Sequence, residues 1–106
     1  MLEFGDIILA EIQFTDRSEI KKRPAVVLFQ ESLNVVVVGM TSNLEREGIL
    51  VTREEGAIKD SIIKTSYIFT LGLNKIIKKL FSLNETKKQV LCKEIRKKVC
   101  GNYKLH

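Results

Sequence analysis

Apolar residues fall in short bursts separated by polar, turn-prone segments, and most bursts are too short for helices. The first runs from Ile7 to Phe14, entered through a Gly5-Asp6 turn; its end alternates apolar and polar, as a half-buried strand does. Thr15 to Lys22 is polar and reads as a hairpin loop longer than the tight two-residue type. A second strand spans Arg23–Gln30, with Pro24 at its start, where a missing N–H costs least. After a turn at 31–34, Val35 to Val38 marks a strand buried on both faces. It runs into Gly39-Met40-Thr41-Ser42, so hydroxyls emerge where the apolar run stops. Ile49–Thr52 is a short strand, and Ser61–Thr70 is another, with an interruption near Thr65-Ser66. For Lys75–Phe81, periodicity leaves a short strand and a helical turn both open.

The last element reads as a helix. Asn84 is a good N-cap, and Ser82 with Glu85 would also make a capping box. Val90, Leu91, Ile95 and Val99 recur at helical spacing as one apolar stripe, and Gly101 follows as a C′ residue. Five or six strands followed by one helix predict a single domain over residues 1–106. The architecture expected is mainly β: a small antiparallel barrel or curled sheet with a C-terminal α-helix packed against it.

Composition adds constraints. The chain is 44% hydrophobic and 29% charged, ordinary values for a soluble domain. No apolar run approaches the roughly 18 residues of a membrane span, and two acids within the first six residues do not suit a signal peptide. A cytoplasmic protein without a membrane partner is expected. Cys92 and Cys100 lie too far apart along one helix for a disulfide within it. With no Cys/His cluster, neither a metal site nor a cofactor is expected. The single histidine, His106, rules out chemistry that needs a pair of them. Charge is uneven. Residues 1–63 hold 7 Lys and Arg against 11 Asp and Glu, a net of −4; residues 64–106 hold 11 against 2, a net of +9. Such a basic half suits a polyanionic or acidic partner, or a solvated lysine-rich surface.

The stretch Lys21-Lys22-Arg23-Pro24 carries the candidate chemistry. Pro24 pushes Arg23 toward an extended backbone, so a permanent cation is held on a rigid element rather than a free loop. Taken alone, the stretch more often means a solvated turn.

The ordered motifs add weight. Gly5-Asp6-Ile7-Ile8, a loop with Ser18-Glu19, Arg23-Pro24-Ala25-Val26, a strand ending in Thr41-Ser42, Asp60-Ser61-Ile62-Ile63 and Lys78–Asn84 follow one another in an order that resembles the PemK/MazF family of toxin ribonucleases. The likeness runs from Gly5 to about Val99. It implies an SH3-like barrel with a C-terminal helix, and a homodimer. It also implies metal-independent cleavage of single-stranded RNA and a cognate antitoxin occupying the RNA groove. Two features depart from the pattern. The Ser18-Glu19 loop is short and carries Lys21-Lys22 in place of glycines, and Ser66-Tyr67-Ile68-Phe69 stands where many members have a stretch ending in arginine.

Metal-free RNA cleavage uses the 2′-hydroxyl as nucleophile and leaves a 2′,3′-cyclic phosphate. The site must accept a proton, stabilise phosphoryl charge and protonate the leaving oxygen. On the resemblance, Arg23 suits the phosphate, Thr41 is a hydroxyl donor to it, and Glu19 is the general-base candidate. Lys21, Lys22, Ser42 and Lys64 are RNA contacts, and Tyr67 could stack a base. Each has a plainer reading: a strand-end threonine bonded to backbone, a surface Glu–Lys pair, a core or interface tyrosine. A non-enzymatic CcdB-like toxin, or a nucleic-acid-binding module on the same barrel, is the competing function.

Overall fold

The computed structural model describes residues 1–13 and 19–103. Phe14–Ser18, including the first half of the expected hairpin loop, and 104–106 with His106 lie outside the described residues.

Among the described residues the elements are β1 (Asp6–Gln13), β2 (Ile20–Glu31), β3 (Asn34–Thr41), β4 (Ile49–Val51), β5 (Ser61–Gly72), β6 (Ile76–Ser82) and α1 (Glu85–Cys100), with short 3-10 turns at Arg53–Glu55 and Leu73–Lys75. The strands form one six-stranded sheet in the order β4-β5-β3-β2-β1-β6, every pairing antiparallel. The sheet curls into a half-barrel, so the expected curled antiparallel sheet with a C-terminal helix is what forms.

Curling buries both faces of the central strands. In β3, Val38 and Met40 join Ile7, Val26, Ile63 and the helix residue Leu91 in one core cluster. Val35 and Val37 join Ile8, Ala10, Ala25 and Val27 in the other. Three of the four successive valines therefore serve two cores, and Val36 is half-buried between them, which is why no polar residue interrupts the run.

Several boundaries differ from the sequence reading. β2 begins at Ile20, so Lys21, Lys22 and Arg23 are in the strand, and Pro24 is interior to it. The proline is tolerated because β3 pairs with β2 only from Ala25↔Gly39 onward, leaving β2 an edge on that side at Pro24. Lys75–Phe81 resolves as mostly strand: β6 pairs with β1. β5 is continuous, yet its pairing with β3 jumps from Val38↔Ile68 to Met40↔Ile63. The interruption expected near Thr65-Ser66 is a bulge.

The helix is capped by Asn84, whose Oδ1 accepts the Lys87 N–H at 2.8 Å. Its apolar stripe is narrower than the sequence suggested: Leu91 is buried and Ile95 half-buried, but Val90 and Val99 are 41% and 66% exposed. The helix touches the sheet along so narrow a line that flanking valines stay in solvent. Gly101 keeps right-handed helical angles, φ −54° and ψ −35°, so it is not the left-handed C′ glycine expected.

Two carboxylates anchor the frame. Asp6 accepts from the Ser82 hydroxyl at 2.8 Å and the Glu3 N–H at 2.9 Å, and pairs with Lys79 at 3.3 Å. Burial pushes its carboxyl up, but the bonds from Glu3, Ser82 and Lys79 outweigh burial and hold it below the usual range. Glu55 behaves likewise: burial is outweighed by the Thr52 N–H and the Lys87 ammonium.

Candidate nucleic-acid cleft

Beyond the Ala25↔Gly39 pair, β2 and β3 are no longer paired. Arg23 and Pro24 continue along β2, and Met40 and Thr41 along β3. Ile12 of β1 and Lys64, Tyr67 and Phe69 of β5 complete a cleft of about 120 Å³ between them.

Local sequence builds each wall. Arg23 sits in extended backbone opposite Ala10 of β1 and is half-buried. The β5 bulge inserts extra residues between Ile63 and Ile68 and turns Lys64 and Tyr67 into the cleft, a common use of bulges beside sites. Tyr67 is seated by glycine: a Cβ on Gly39 would stand 2.6 Å from its ring carbon Cδ1, closer than any real contact. The Tyr67 and Phe69 ring centroids lie 5.0 Å apart, tilted by 42°. Lys64 Nζ stands 5.0 Å from the Tyr67 centroid, within cation–π range.

Thr41 Oγ1 accepts the Asn43 N–H at 3.2 Å, closing the turn after β3. That bond uses a lone pair; the hydroxyl proton is left to donate elsewhere. The plain reading of a strand-end threonine thus holds without removing its capacity as a donor.

Of the residues named from sequence, the fold brings Arg23, Thr41, Lys64 and Tyr67 to one cleft. Glu19, Lys21, Lys22 and Ser42 do not line it. Glu19 pairs with Lys21 at 3.6 Å, with both side chains well exposed, and lies four residues before Arg23, roughly 13 Å of strand. Lys22 and Ser42 are exposed. Sequence reasoning missed Ile12, Gly39, Met40 and Phe69 as cleft residues. Phe69 had a signal, because it marks the end of the stretch where the family's arginine is absent; Gly39 had one in interrupting a valine strand, where glycine often marks close approach. Among the described residues no group of His, Cys, Asp and Glu is placed to hold a metal ion, and no helix is long and apolar enough to cross a membrane.

A cleft with two cations, a hydroxyl and two tilted aromatic rings thus lies at one end of a curled antiparallel sheet that carries a C-terminal helix. The chain belongs to the PemK-like, MazF-like toxins of type II toxin–antitoxin systems, whose family model matches residues 3–99. Solved structures share the fold at low identity. The Mycobacterium tuberculosis toxin MazF-mt6 is 19% identical with a TM-score of 0.70, covering 89% of this chain and 95% of its own. A mycobacterial endoribonuclease in complex with its cognate antitoxin is 12% identical with a TM-score of 0.73, covering 98% and 100%. A further mycobacterial endoribonuclease is 13% identical with a TM-score of 0.68, covering 92% and 90%. No curated protein matches significantly.

Proposed function

We propose that this toxin is an endoribonuclease that cuts single-stranded RNA without a metal ion and is neutralised by a cognate antitoxin. The observation that carries the reading is the convergence of Arg23, Thr41, Lys64 and Tyr67 on one cleft. Family membership and the fold shared with two endoribonucleases, one in complex with its antitoxin, support it.

The chemistry is internal transesterification. The 2′-oxygen loses its proton and attacks the adjacent phosphorus; the P–O5′ bond breaks, and the 5′-oxygen takes up a proton. The products are a 2′,3′-cyclic phosphate and a 5′-hydroxyl end. Arg23 binds the two non-bridging oxygens with its planar fork, where charge develops in the transition state. Thr41 donates its hydroxyl proton to the same group. Lys64 supplies a second cation on the backbone, taking the place of the arginine that many members carry near Phe69. Tyr67 and Phe69 stack a base and fix the register. Glu19 is the acidic candidate for removing the 2′-proton, and Glu19→Gln decides the matter. Loss of a general base lowers turnover about 10²–10⁴-fold, whereas loss of a surface ion pair leaves it unchanged. The active form is a homodimer, located in the cytoplasm.

Primer extension on a long RNA incubated with the purified protein in EDTA tests this reading. Discrete stops that vanish with Arg23→Ala are expected. Intact RNA after prolonged incubation, on varied substrates, would overturn it and leave a binding module.

A further inference from the structure

The proposed chemistry leaves one proton without a source. As the P–O5′ bond breaks, its electron pair passes to the 5′-oxygen, and an alkoxide is too basic to leave readily without a proton. Four side chains in the cleft lining carry a proton that could move: Arg23, Thr41, Lys64 and Tyr67. Among the described residues no carboxylate, thiol or imidazole lines the cleft.

Chemistry removes two of the four. A guanidinium is effectively never deprotonated in a protein. A threonine hydroxyl is an alcohol, no stronger an acid than the alcohol it would have to form. An ammonium and a phenol are left, two classes of similar acidity. Charge separates them. An ammonium stabilises the developing negative oxygen before the proton moves, and becomes neutral when it does. A phenol would leave a phenolate beside an anionic phosphate, and like charges at close quarters oppose that.

The sheet puts the ammonium on the right side. β3 lies between β2 and β5. The β2–β3 register, carried two residues past Ala25↔Gly39, sets Arg23 opposite Thr41. On the other flank of β3, Met40 pairs with Ile63, and Lys64 follows Ile63 along β5. A phosphate held by Arg23 and Thr41 therefore meets Lys64 from the side away from the arginine, where a bridging oxygen can stand. Lys64 is half-buried and, among the described residues, pairs with no carboxylate. The Tyr67 ring steadies its Nζ instead, 5.0 Å from the ring centroid.

We propose that Lys64 is the general acid of the cleavage. Its ammonium passes a proton from Nζ to the 5′-oxygen as the P–O5′ bond breaks, and water reprotonates the neutral amine before the next turnover. The assignment rests on the nuclease reading and gives Lys64 a role beyond that of a backbone cation.

Replacing the leaving oxygen by sulfur tests it. A short RNA carrying a site mapped by primer extension is made in two forms, one with the natural 5′-oxygen and one with a 5′-bridging sulfur at the scissile phosphate. A thiolate leaves without a proton, so loss of a general acid matters only for the oxygen form. Lys64→Met in the full chain should slow the oxygen form by about 10²–10⁴-fold. It should cut the sulfur form at close to the wild-type rate, which also shows that the variant folds. Should it not fold, Lys64→Gln takes its place. Arg23→Ala should slow both forms. Tyr67→Phe, which removes the phenol proton, should keep the wild-type ratio of the two rates. No slowing of the oxygen form by Lys64→Met, or equal slowing of both forms, would overturn the assignment, as would sulfur rescue confined to Tyr67→Phe. Wild type that cuts neither form would overturn the nuclease reading itself, and the assignment with it.

Discussion

At the scale of single residues, a β-branched or aromatic side chain is placed by its strand, but a functional one is placed by what its neighbours leave empty. Tyr67 reaches the cleft because Gly39 has no side chain. Gly39→Ala should therefore displace the ring, and base stacking with it. Stacking on an aromatic is worth about 1–3 kcal/mol per base. Both Gly39→Ala and Tyr67→Ala should weaken binding of a short single-stranded RNA by roughly 5- to 150-fold, measured by fluorescence anisotropy on a cleavage-deficient background. Equal affinity in Tyr67→Ala would return this tyrosine to a packing role. Arg23 was legible as a candidate because Lys21-Lys22-Arg23-Pro24 announces a cation on an extended backbone. Glu19 was legible only through its place in a family pattern, and the fold sets it outside the cleft in an ion pair with Lys21.

At the scale of elements, the periodic signals located strands well and their limits poorly. The valine run and the Ile7–Gln13 alternation mark β1 and β3 because burial dictates them. Lys21 and Lys22 read as loop because charge hides a strand end whose ladder is set by β1, through Glu11↔Lys22 and Ile12↔Lys21. The helix stripe was overread for the opposite reason: spacing shows which residues can face a core, not how wide the contact is. Stability should respect the difference. Leu91→Ala removes a fully buried side chain and should cost about 2–5 kcal/mol in urea unfolding. Val99→Ser, on an exposed site, should stay within about 0.5 kcal/mol. The closure of β1 onto β6 carries a pH signature. Asp6 has a folded pKa below its ordinary value of 3.8, so its contribution is present at neutral pH. That contribution is lost as pH falls past 3.8 through the lower folded value. The stability gap between wild type and Asp6→Asn should be full near pH 7 and close at acid pH. A gap independent of pH would mean that the carboxylate charge plays no part.

At the scale of the whole molecule, the architecture was legible from the rhythm of short strands and one terminal helix, and the family from the order of motifs. The cleft as an object was not. It arises where the β2–β3 ladder ends and where β5 bulges, and neither event has a local signature beyond Gly39 and the Thr65-Ser66 break. The net charge of +5, concentrated toward the C-terminal half, points to RNA affinity that falls with salt. For single strands, each neutralised phosphate adds about 0.7 to the slope of log affinity against log salt. Lys64→Ala should lower that slope by about one such step, and an unchanged slope would remove Lys64 from the backbone contacts.

The central claim is that Arg23 acts on the scissile phosphate. The direct measurement is the single-turnover cleavage rate of a defined RNA in EDTA by wild type, Arg23→Lys and Arg23→Ala, with the 5′ product's end group identified. Loss of a preorganised donor at the developing charge predicts a fall of about 10²–10³ in Arg23→Ala. Arg23→Lys should recover part of it, because a point charge replaces the fork. The fragments should end in a 2′,3′-cyclic phosphate. Cleavage by Arg23→Ala at the wild-type rate, or fragments ending in an unmodified 3′-hydroxyl, would contradict the account.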